Sequence, residues 1–318
     1  MNLVEKSILI TGAAGFIGSH LCEKLVDSNK ILALDNFQDF YARKMKEQNL
    51  QNLLPHRNFH FREVDIRDAK PLGQMTKNID LIFHEAAQPG LRYSLKNPRV
   101  VHDINVNGTL NVLEAARINE VEKIIFASSS SVYGVPKYLP LDETHPTSPY
   151  SPYAASKLAA EHYCTAYHTS YGLNVVSLRY FSVYGPRQRP DLVIRAVTER
   201  LMNNQSPIIF GDGSYTRDFT FIDDIVNGTI LAAETDSVGG KIFNLGFGQR
   251  TSILEIVQKL QDLLKKQHLS PIYKPAYPGD FPHTQAEISK AKQILGYRPT
   301  TSLKQGLKQF LEWWVKAH

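Results

Sequence analysis

Along the first 130 residues, the apolar positions follow two alternating patterns. Short runs of aliphatic and β-branched residues, such as 6–10, are followed by stretches such as 16–26, in which apolar residues recur at helical spacing. Further short apolar runs fall at 31–34, 59–64, 81–83 and 123–127. Strands that alternate with amphipathic helices are typical of a parallel sheet covered on both faces. The pattern therefore predicts an α/β fold with a Rossmann-type, doubly wound parallel sheet.

The second half of the chain lacks this regular alternation. Prolines and shorter apolar segments interrupt it after residue 180, which predicts a smaller C-terminal α/β domain. The last segment, 302–316, carries Leu307, Phe310, Leu311 and Trp314 at helical spacing. We predict that this segment is a helix that packs through that face.

Composition and charge exclude several classes of protein. With 318 residues, 42% hydrophobic and 21% charged, the chain is long enough to bury a large core. The net charge of +5 comes from scattered Lys and Arg, so we expect no nucleic-acid partner. No apolar run approaches the roughly 18 residues of a membrane span, and a predicted strand begins almost at the N-terminus. We therefore expect a cytoplasmic protein with no membrane partner.

The two cysteines, Cys22 and Cys164, have no partners at metal-ligand spacing. We expect both to pack in the interior, and we expect no metal ion to bind.

Three glycines, Gly12, Gly15 and Gly18, stand between the first predicted strand and the first predicted helix. Glycine lets the backbone turn tightly and approach a pyrophosphate, while the free N–H groups at the helix start favour an anion. Asp35 closes the second apolar run, where a carboxylate accepts the hydroxyls of an adenosine ribose and repels a 2′-phosphate. A glycine triplet alone is often just a tight turn. Here the strand, the helix and the acidic residue occur together, which predicts a site that binds NAD rather than NADP.

Other predicted strands also end in candidate cofactor residues, because ligands of such sheets lie beyond the carboxyl ends of the strands. Asp65 and Ile66 follow the run 59–64, and they either flank the adenine or form an ordinary polar turn. Small residues, Ala86 and Ala87, follow the next strand and suit a close approach to the cofactor.

Two polar residues, His84 and Asn105, lie at or near that strand. His84 is expected to be a hydrogen-bonded core histidine rather than a catalyst. Asn105 lies near the start of a predicted helix at 105–117, where it either ties a loop beside the nicotinamide or caps the helix.

Candidate catalytic residues follow the strand at 123–127. Four serines, 128–131, end that strand, and Tyr153 and Lys157 follow in the sequence YAASK. A Tyr and a Lys four residues apart share one helical face. A phenol with a pKa of about 10 is a poor base, but a nearby ammonium and the positive nicotinamide ring favour the phenolate. Such a pair is commonly a surface feature; after this glycine turn and serine strand end, it predicts a hydride-transfer site.

Residues 11–18, Asp35, the sequence SSSSVYG at 128–134 and the Tyr153/Lys157 pair resemble the motifs of the extended short-chain dehydrogenase/reductases, which act on nucleotide sugars. The resemblance covers essentially the whole chain. It implies that Ser129 is the catalytic serine beside Tyr153 and Lys157. It also implies an NAD cofactor and a homodimer that pairs the helices at 105–117 and 153–171.

The resemblance implies a division of the chain as well. Residues 1–180 would form the NAD-binding Rossmann domain, with returns near 219–245, and residues 181–218 and 246–318 would form the nucleotide-sugar-binding domain. The predicted cofactor contacts are Gly12, Gly15, Phe16, Ile17, Gly18, Asp35, Asn36, Asp65, Ile66, Ala86, Ala87, Asn105, Tyr153, Lys157 and Tyr180.

Within that family, the segments 84–98, 180–186 and 278–292 are most similar to UDP-glucuronate 4-epimerases. UDP-glucose epimerases carry Asn in place of Ser182 and Lys in place of Pro89, and the small Ser182 leaves room for a charged C6 group. Arg189 resembles the residue that the uronate enzymes use on the sugar carboxylate, a role that suits a guanidinium fork. A solvated surface arginine is the alternative.

The nucleotide end of the substrate is assigned by the same similarity. Arg217 resembles a diphosphate ligand, and Phe210 lies either against the uracil or in a core strand. Tyr277 departs from the family, because UDP-glucose epimerases carry Arg there and the uronate enzymes often carry Gln. The predicted substrate contacts are Pro89, Ser130, Ser131, Ser182, Arg189, Phe210, Arg217 and Asp280.

These implications predict that the protein interconverts the C4 epimers of a UDP-sugar through a 4-keto intermediate, first of all UDP-glucuronate and UDP-galacturonate. UDP-glucose and UDP-N-acetylglucosamine are the alternative substrates. A UDP-glucuronate decarboxylase would carry Glu at Ser131, and a 4,6-dehydratase would carry Asp–Glu at Ser130 and Ser131. A non-catalytic NAD-binding scaffold would be expected to have lost Tyr153 or Lys157.

Overall fold

The computed structural model describes residues 2–277 and 279–317, so Pro278, which begins the family segment 278–292, lies outside the described residues. The strands are β1 Ser7–Thr11, β2 Lys30–Asp35, β3 Phe59–Glu63, β4 Leu81–His84, β5 Lys123–Ser129, β6 Val175–Tyr180, β7 Ser182–Tyr184, β8 Ile208–Phe210, β9 Thr216–Arg217, β10 Phe219–Phe221, β11 Ile242–Leu245, β12 Thr251–Ser252 and β13 Ile272–Lys274. The helices are α1 Phe16–Leu25, α2 Arg43–Leu50, α3 Ala69–Met75, α4 Leu91–Lys96, α5 Pro98–His102, α6 Gly108–Ile118, α7 Pro152–Tyr171, α8 Val193–Met202, α9 Ile222–Glu234, α10 Ile253–Leu264, α11 Ser289–Leu295 and α12 Leu303–Ala317.

Seven strands form one parallel sheet in the order β11-β6-β5-β4-β1-β2-β3. The chain runs outward from β1 through β2 and β3, and then returns to the other side of β1 with β4. The carboxyl ends of β1 and β4 therefore flank a topological switch point, where ligands bind in such sheets. This architecture confirms the predicted Rossmann-type α/β fold.

Two hydrophobic clusters cover the two faces of the sheet. Ile8 and Ile10 of β1 belong to the cluster that includes side chains of α1 and α9, whereas Leu9 belongs to the cluster under α6 and α7. This alternation follows from the strand, in which successive side chains point to opposite faces. Because both faces are covered, β4 is buried along its whole length.

The second half of the chain contains shorter elements, as its pattern predicted. β7 pairs with β10, β8 with β13 and β9 with β12, each as a separate two-stranded sheet. β11 instead joins the edge of the main sheet beside β6. In α12, Leu307, Phe310 and Trp314 are buried, which confirms the predicted packing face. The division into two domains stays a prediction.

Some elements differ from the sequence pattern in detail. A π-helical turn, Asp103–Asn107, precedes α6, so the regular α-helix begins three residues later than predicted. Cys22 and Cys164 are buried and free. Within residues 2–277 and 279–317, no helix is long and apolar enough to cross a membrane, and no group of three or more His, Cys, Asp or Glu is arranged to hold a metal ion.

Candidate active site

A cavity lies at the carboxyl ends of the central strands, next to the glycine turn. Its wall includes fourteen of the fifteen predicted cofactor residues, all but Asn105, and two of the predicted substrate residues, Pro89 and Arg189. Eleven residues that were not predicted as contacts also line it: Leu34, Gln38, Phe40, Tyr41, Lys46, Val64, Glu85, Gln88, Ile104, Ala127 and Ser128. Several of them, such as Leu34, Val64 and Glu85, adjoin predicted residues in the sequence, which was the available signal for them.

The glycine turn brings β1 close to its neighbours. Gly12 has a φ of +70°, and a Cβ there would lie 2.7 Å from the backbone N of Ala86 at the end of β4. A Cβ on Gly18 would lie 2.3 Å from the Gly12 carbonyl oxygen. Only glycine fits such approaches. Gly15 is the N-cap of α1, and no side chain caps the helix, so its first N–H groups remain for an anion at the cavity wall.

Asp35 points its carboxylate into the loop at the carboxyl end of β2. Its oxygens accept hydrogen bonds from the backbone N–H groups of Ala14 (3.1 Å) and Phe37 (2.8 Å). Burial raises the pKa of Asp35, and the buried ammonium of Lys46 is the first of the groups that oppose the shift. Each carboxylate oxygen keeps a second lone pair, so Asp35 can still accept ribose hydroxyls.

Asp65 takes part in a polar turn and also lines the cavity, so the two alternatives for this residue do not exclude each other. Its carboxylate accepts hydrogen bonds from Arg67 Nη2 and Asn36 Nδ2, both at 2.7 Å. Burial opposes ionisation, but the bonds from Arg67 and Asn36 prevail and lower the pKa of Asp65 to about 2. Ile66 lies beside it on the cavity wall.

Asn105 ties the loop after β4 to α7. Its Oδ1 accepts from the backbone N–H of Gln88 at 2.7 Å, and its Nδ2 donates to the Gln88 carbonyl (3.2 Å) and to Ser156 Oγ (2.9 Å). Of the two roles predicted for this residue, the structure has the tie and not the helix cap. Asn105 itself does not line the cavity, so it reaches the cofactor wall only through Gln88.

His84 is a satisfied core residue, as predicted. Its ring nitrogens lie 2.7 Å from Thr11 Oγ1 and 3.0 Å from Thr109 Oγ1. Burial, together with the charge of Lys157, lowers the pKa of His84 to about 3, so the ring is neutral at physiological pH.

Of the three predicted catalytic residues, Tyr153 and Lys157 line the cavity, and Ser129 directly follows the cavity residue Ser128. α7 begins just before Tyr153, with Ser151 as a side-chain N-cap, and presents Tyr153 and Lys157 one turn apart. Ser129 stands at the end of β5, and its hydroxyl is the first of the groups that oppose the raised pKa of the Tyr153 phenol. The Ser129 oxygen also accepts from the backbone N–H of Ser131 (3.2 Å) and from Ser131 Oγ (2.9 Å), which fixes its position.

Burial opposes the charge states that the proposed chemistry needs. It raises the pKa of Tyr153, and it lowers the pKa of Lys157 to about 8. The Ser129 hydrogen bond and the positive charge of Arg189 oppose the shift at Tyr153. From the sequence, this task was expected of Lys157 and the nicotinamide; among the described residues, Ser129 and Arg189 are the groups that lower the pKa of Tyr153.

Arg189 lies in the cavity wall with 20% of its side chain exposed, so it is not the solvated surface arginine of the alternative. Its Nε and Nη2 donate to the two carboxylate oxygens of Asp191, both at 3.0 Å. This fork uses one edge of the guanidinium and leaves Nη1 for a further acceptor. The charge of Asp191 raises the pKa of Tyr153, whereas that of Arg189 lowers it.

The remaining predicted substrate residues lie outside the cavity wall. Ser130 and Ser131 form a 3-10 turn directly after Ser129, and half-buried Ser182 starts β7, where its N–H donates to the Asp218 carbonyl at 3.0 Å. Phe210, Arg217 and Asp280 belong to a second group of residues in the C-terminal part of the chain.

The second group is held together by charge and by ring stacking. Arg217 Nη2 donates to Asp280 Oδ1 at 2.5 Å, which joins two predicted substrate residues. Phe210 is a residue of β8, and its ring centre lies 4.5 Å from that of Tyr277, with the two ring planes tilted by 49°. Phe210 therefore lies in the expected strand, and its contact with the uracil stays a prediction.

Arg92 is a functional candidate that the sequence argument missed. Its guanidinium carbon lies 4.2 Å from the ring centre of Phe210 and 3.5 Å from that of Tyr277. Burial lowers its pKa, and Tyr277, Asp280 and Asp191 oppose the shift. Arg92 therefore connects the second group to Asp191 beside the catalytic residues. The available signal for Arg92 was its place three residues after Pro89, a predicted substrate residue. Its partners Phe210 and Tyr277, however, lie far away in the sequence.

The described residues fit a dinucleotide. The uncapped start of α1 would hold the pyrophosphate, Asp35 would accept from the ribose hydroxyls, and Lys157 and Tyr153 line the same cavity.

Comparison with known proteins agrees with this fit. Residues 9–310 match the family described as GDP-mannose 4,6 dehydratase. The uncharacterized UDP-glucose epimerase YtcB of Bacillus subtilis (strain 168) is 40% identical over 305 residues, which cover 94% of this chain and 95% of that protein. The crystal structure of UDP-glucuronic acid 4-epimerase from Bacillus cereus, in complex with UDP-glucuronic acid and NAD, has a TM-score of 0.95 and 38% identity over 98% of this chain and 100% of that chain. UDP-N-acetylglucosamine 4-epimerase from Methanobrevibacter ruminantium M1, in complex with UDP-N-acetylmuramic acid, has a TM-score of 0.92 and 33% identity over 99% of this chain and 100% of that chain.

Proposed function

We propose that this chain, which belongs to the GDP-mannose 4,6-dehydratase family of extended short-chain dehydrogenase/reductases, converts UDP-glucuronate to UDP-galacturonate. The reaction class is an NAD-dependent UDP-sugar 4-epimerase, an isomerase. The uronate substrate is the part that we propose.

The acid–base chemistry belongs to Tyr153 and Ser129. When bound, NAD supplies the hydride acceptor that oxidation of C4 requires. The Tyr153 phenolate accepts the proton of the sugar 4-hydroxyl, and the Ser129 hydroxyl hydrogen-bonds the same oxygen. Tyr153 then returns the proton to that oxygen when C4 is reduced. Inversion requires the sugar to present its other face between the two steps, so the protein must hold the nucleotide more firmly than the ring.

The residues of the second group suit the nucleotide. Arg217 and Arg92 offer two guanidinium groups to a diphosphate, and Phe210 and Tyr277 offer aromatic faces to a base. Arg92 thus provides a cation where Tyr277 departs from the family pattern.

The observation that carries the uronate proposal is the position of Arg189. It is a cavity-wall guanidinium beside Tyr153, and its Nη1 remains for a carboxylate after the fork to Asp191 is made. Oxidation at C4 places a ketone β to the C6 carboxylate, and such an acid loses carbon dioxide when the breaking bond lies perpendicular to the carbonyl plane. A carboxylate held by Arg189 is kept from that alignment. No carboxylate stands at Ser130 or Ser131, where the dehydratases and decarboxylases carry theirs.

A panel of UDP-sugars tests the substrate. Purified protein is incubated without added reductant with UDP-glucuronate, UDP-glucose or UDP-N-acetylglucosamine, and C4 epimers are measured by NMR. We expect the highest kcat/KM for UDP-glucuronate, and no turnover of any sugar by the Tyr153→Phe control above about one hundredth of wild type. A higher kcat/KM for a neutral sugar would overturn the uronate proposal and leave the reaction class intact.

We also expect a homodimer through α6 and α7. They expose large apolar side chains, at Ile118, the last residue of α6 (66% exposed), and at Tyr163 and Tyr171 of α7 (40% and 59%). Sedimentation equilibrium should give twice the chain mass of 35.9 kDa. A single-chain mass across the micromolar range would contradict this expectation.

A further inference from the structure

Glu85 is a cavity-wall carboxylate to which the chemistry above gives no role. It directly follows β4, next to the switch point, and lines the cavity together with Lys157, Tyr153 and Tyr180. Burial raises the pKa of Glu85 to about 7, so the group changes its charge near neutral pH. The sequence argument treated this segment only as a run of small residues beside the cofactor.

The hydroxyls around Glu85 accommodate both of its protonation states. Glu85 Oε1 lies 2.9 Å from Tyr180 Oη, which lies 2.9 Å from Thr229 Oγ1, and Thr229 Oγ1 donates to the Ile225 carbonyl at 2.8 Å. When Glu85 is ionised, Tyr180 donates to it. When Glu85 is protonated, it can donate to Tyr180, and Tyr180 can donate to Thr229. The carboxyl group therefore stays in place while its charge changes.

Glu85 and Lys157 line the same cavity. Among the charges that oppose the lowered pKa of Lys157, that of Glu85 is the largest, ahead of Cys164 and Glu161. In return, the charge of Lys157 opposes the raised pKa of Glu85. The Lys157 ammonium also lies 4.5 Å from the ring centre of Phe126.

The other titratable groups near Lys157 are neutral or already paired. Glu161 accepts from Arg179 Nη2 (2.6 Å), Arg179 Nε (3.1 Å) and Ser128 Oγ (2.7 Å), so Arg179 balances its charge. Burial raises the pKa of the Cys164 thiol far above neutrality, the pKa of His84 lies at about 3, and the pKa of Tyr180 is raised well above its ordinary value. Within the described chain, Glu85 is therefore the carboxylate that remains to balance Lys157.

We propose that Glu85 is a positioning residue of the reaction: its carboxylate is the counter-charge that keeps Lys157 protonated in the cavity beside Tyr153, and it thereby sets the alkaline limit of activity. The ammonium can favour the Tyr153 phenolate only while Lys157 keeps its proton, and burial alone works against that. The proposal rests on the proposed site chemistry, but not on the identity of the sugar.

The pH profile of a neutral isostere tests it. Glu85→Gln keeps the size of the side chain and an oxygen that accepts from Tyr180, but removes the charge. We expect the alkaline limb of its kcat profile to move to lower pH by roughly one unit or more, the scale of an opposite charge at short range. KM should change little, because the second group lies on other elements. An alkaline limb at the wild-type pH would overturn the proposal.

Glu85→Asp is the matched control, since it keeps the charge and withdraws it by one methylene. Its alkaline limb should fall between those of the wild type and Glu85→Gln. A shift as large as that of Glu85→Gln would show that charge is not the operative property, and would equally overturn the proposal.

A second measurement needs no turnover. The pH dependence of Lys157 acetylation, followed by peptide mass spectrometry on wild type and Glu85→Gln, reports the pKa of the Lys157 ammonium directly. We expect a lower pKa in the variant; equal values would refute the counter-charge role. If the panel identifies another UDP-sugar, the pH profiles are measured with that sugar and the labelling result stands, so failure of the two proposals can be distinguished.

Discussion

Replacement of Arg189 by alanine separates carboxylate recognition from nucleotide recognition. The guanidinium of Arg189 donates from Nε and Nη2 to Asp191, so its Nη1 remains to donate to the substrate. One charge-assisted hydrogen bond is worth roughly 1.5 to 3 kcal/mol, which corresponds to about a 10- to 150-fold change in Kd. Arg189→Ala should therefore weaken UDP-glucuronate binding by that factor and leave UDP binding within about twofold.

Binding is best measured by titration calorimetry in a Tyr153→Phe background, which prevents turnover of the ligand. Arg187→Ala is the matched control: Arg187 is also a guanidinium two residues away, but it donates to Ser19 and Glu23 and does not line the cavity. It should leave the ratio of the two affinities unchanged. Equal losses for UDP and UDP-glucuronate in Arg189→Ala, or no loss for either, would refute the carboxylate role.

The same variant has a kinetic consequence. Because the charge of Arg189 lowers the pKa of Tyr153, its removal should raise that pKa and move the acid limb of kcat to higher pH. This effect should occur with any sugar that the enzyme turns over. A binding loss without this shift would mean that Arg189 acts on the carboxylate alone.

Three further outcomes are expected. Tyr153→Phe should lose at least about a hundredfold in kcat in the NMR assay, and near wild-type turnover would remove Tyr153 from the mechanism. Asp35→Ala should weaken NAD binding and reduce the preference for NAD over NADP, measured as the ratio of their Kd values. An unchanged ratio would mean that another residue sets the preference. Between pH 4.5, the ordinary pKa of a Glu, and about pH 7, the raised pKa of Glu85 keeps this group protonated in the folded state while it is ionised in the unfolded state. The free energy of unfolding of the wild type should therefore fall as pH rises through this range. In Glu85→Gln, the free energy of unfolding measured by chemical denaturation should fall less steeply with pH, by up to about 1.4 kcal/mol per pH unit. Parallel plots of unfolding free energy against pH for the two proteins would contradict the assignment.

Features encoded in local spacing could be predicted from the sequence. The glycine turn, Asp35 and the one-turn separation of Tyr153 and Lys157 depend on a strand, a turn or a helix, and each lies on the cavity as its pattern indicates. The burial of His84 between two threonines follows from its place at the end of a central strand.

Features that depend on distant pairs could not be predicted in this way. Arg92 finds Phe210 and Tyr277 more than one hundred residues along the chain, and nothing near Arg92 records that meeting. The choice between a cap and a tie at Asn105 was likewise open, because it depends on where Gln88 and Ser156 lie. The direction of the pKa shifts at Tyr153 and Lys157 depends on burial, which a helical spacing does not determine.

The most direct test of the central claim is an NMR time course of UDP-glucuronate in D2O with the purified protein, NAD and no reductant. We predict that UDP-galacturonate accumulates with its carboxylate retained and with protium at C4, because the hydrogen removed from C4 does not exchange with solvent before it returns. UDP-pentose as the main product, or deuterium at C4 of the epimer, would contradict the account.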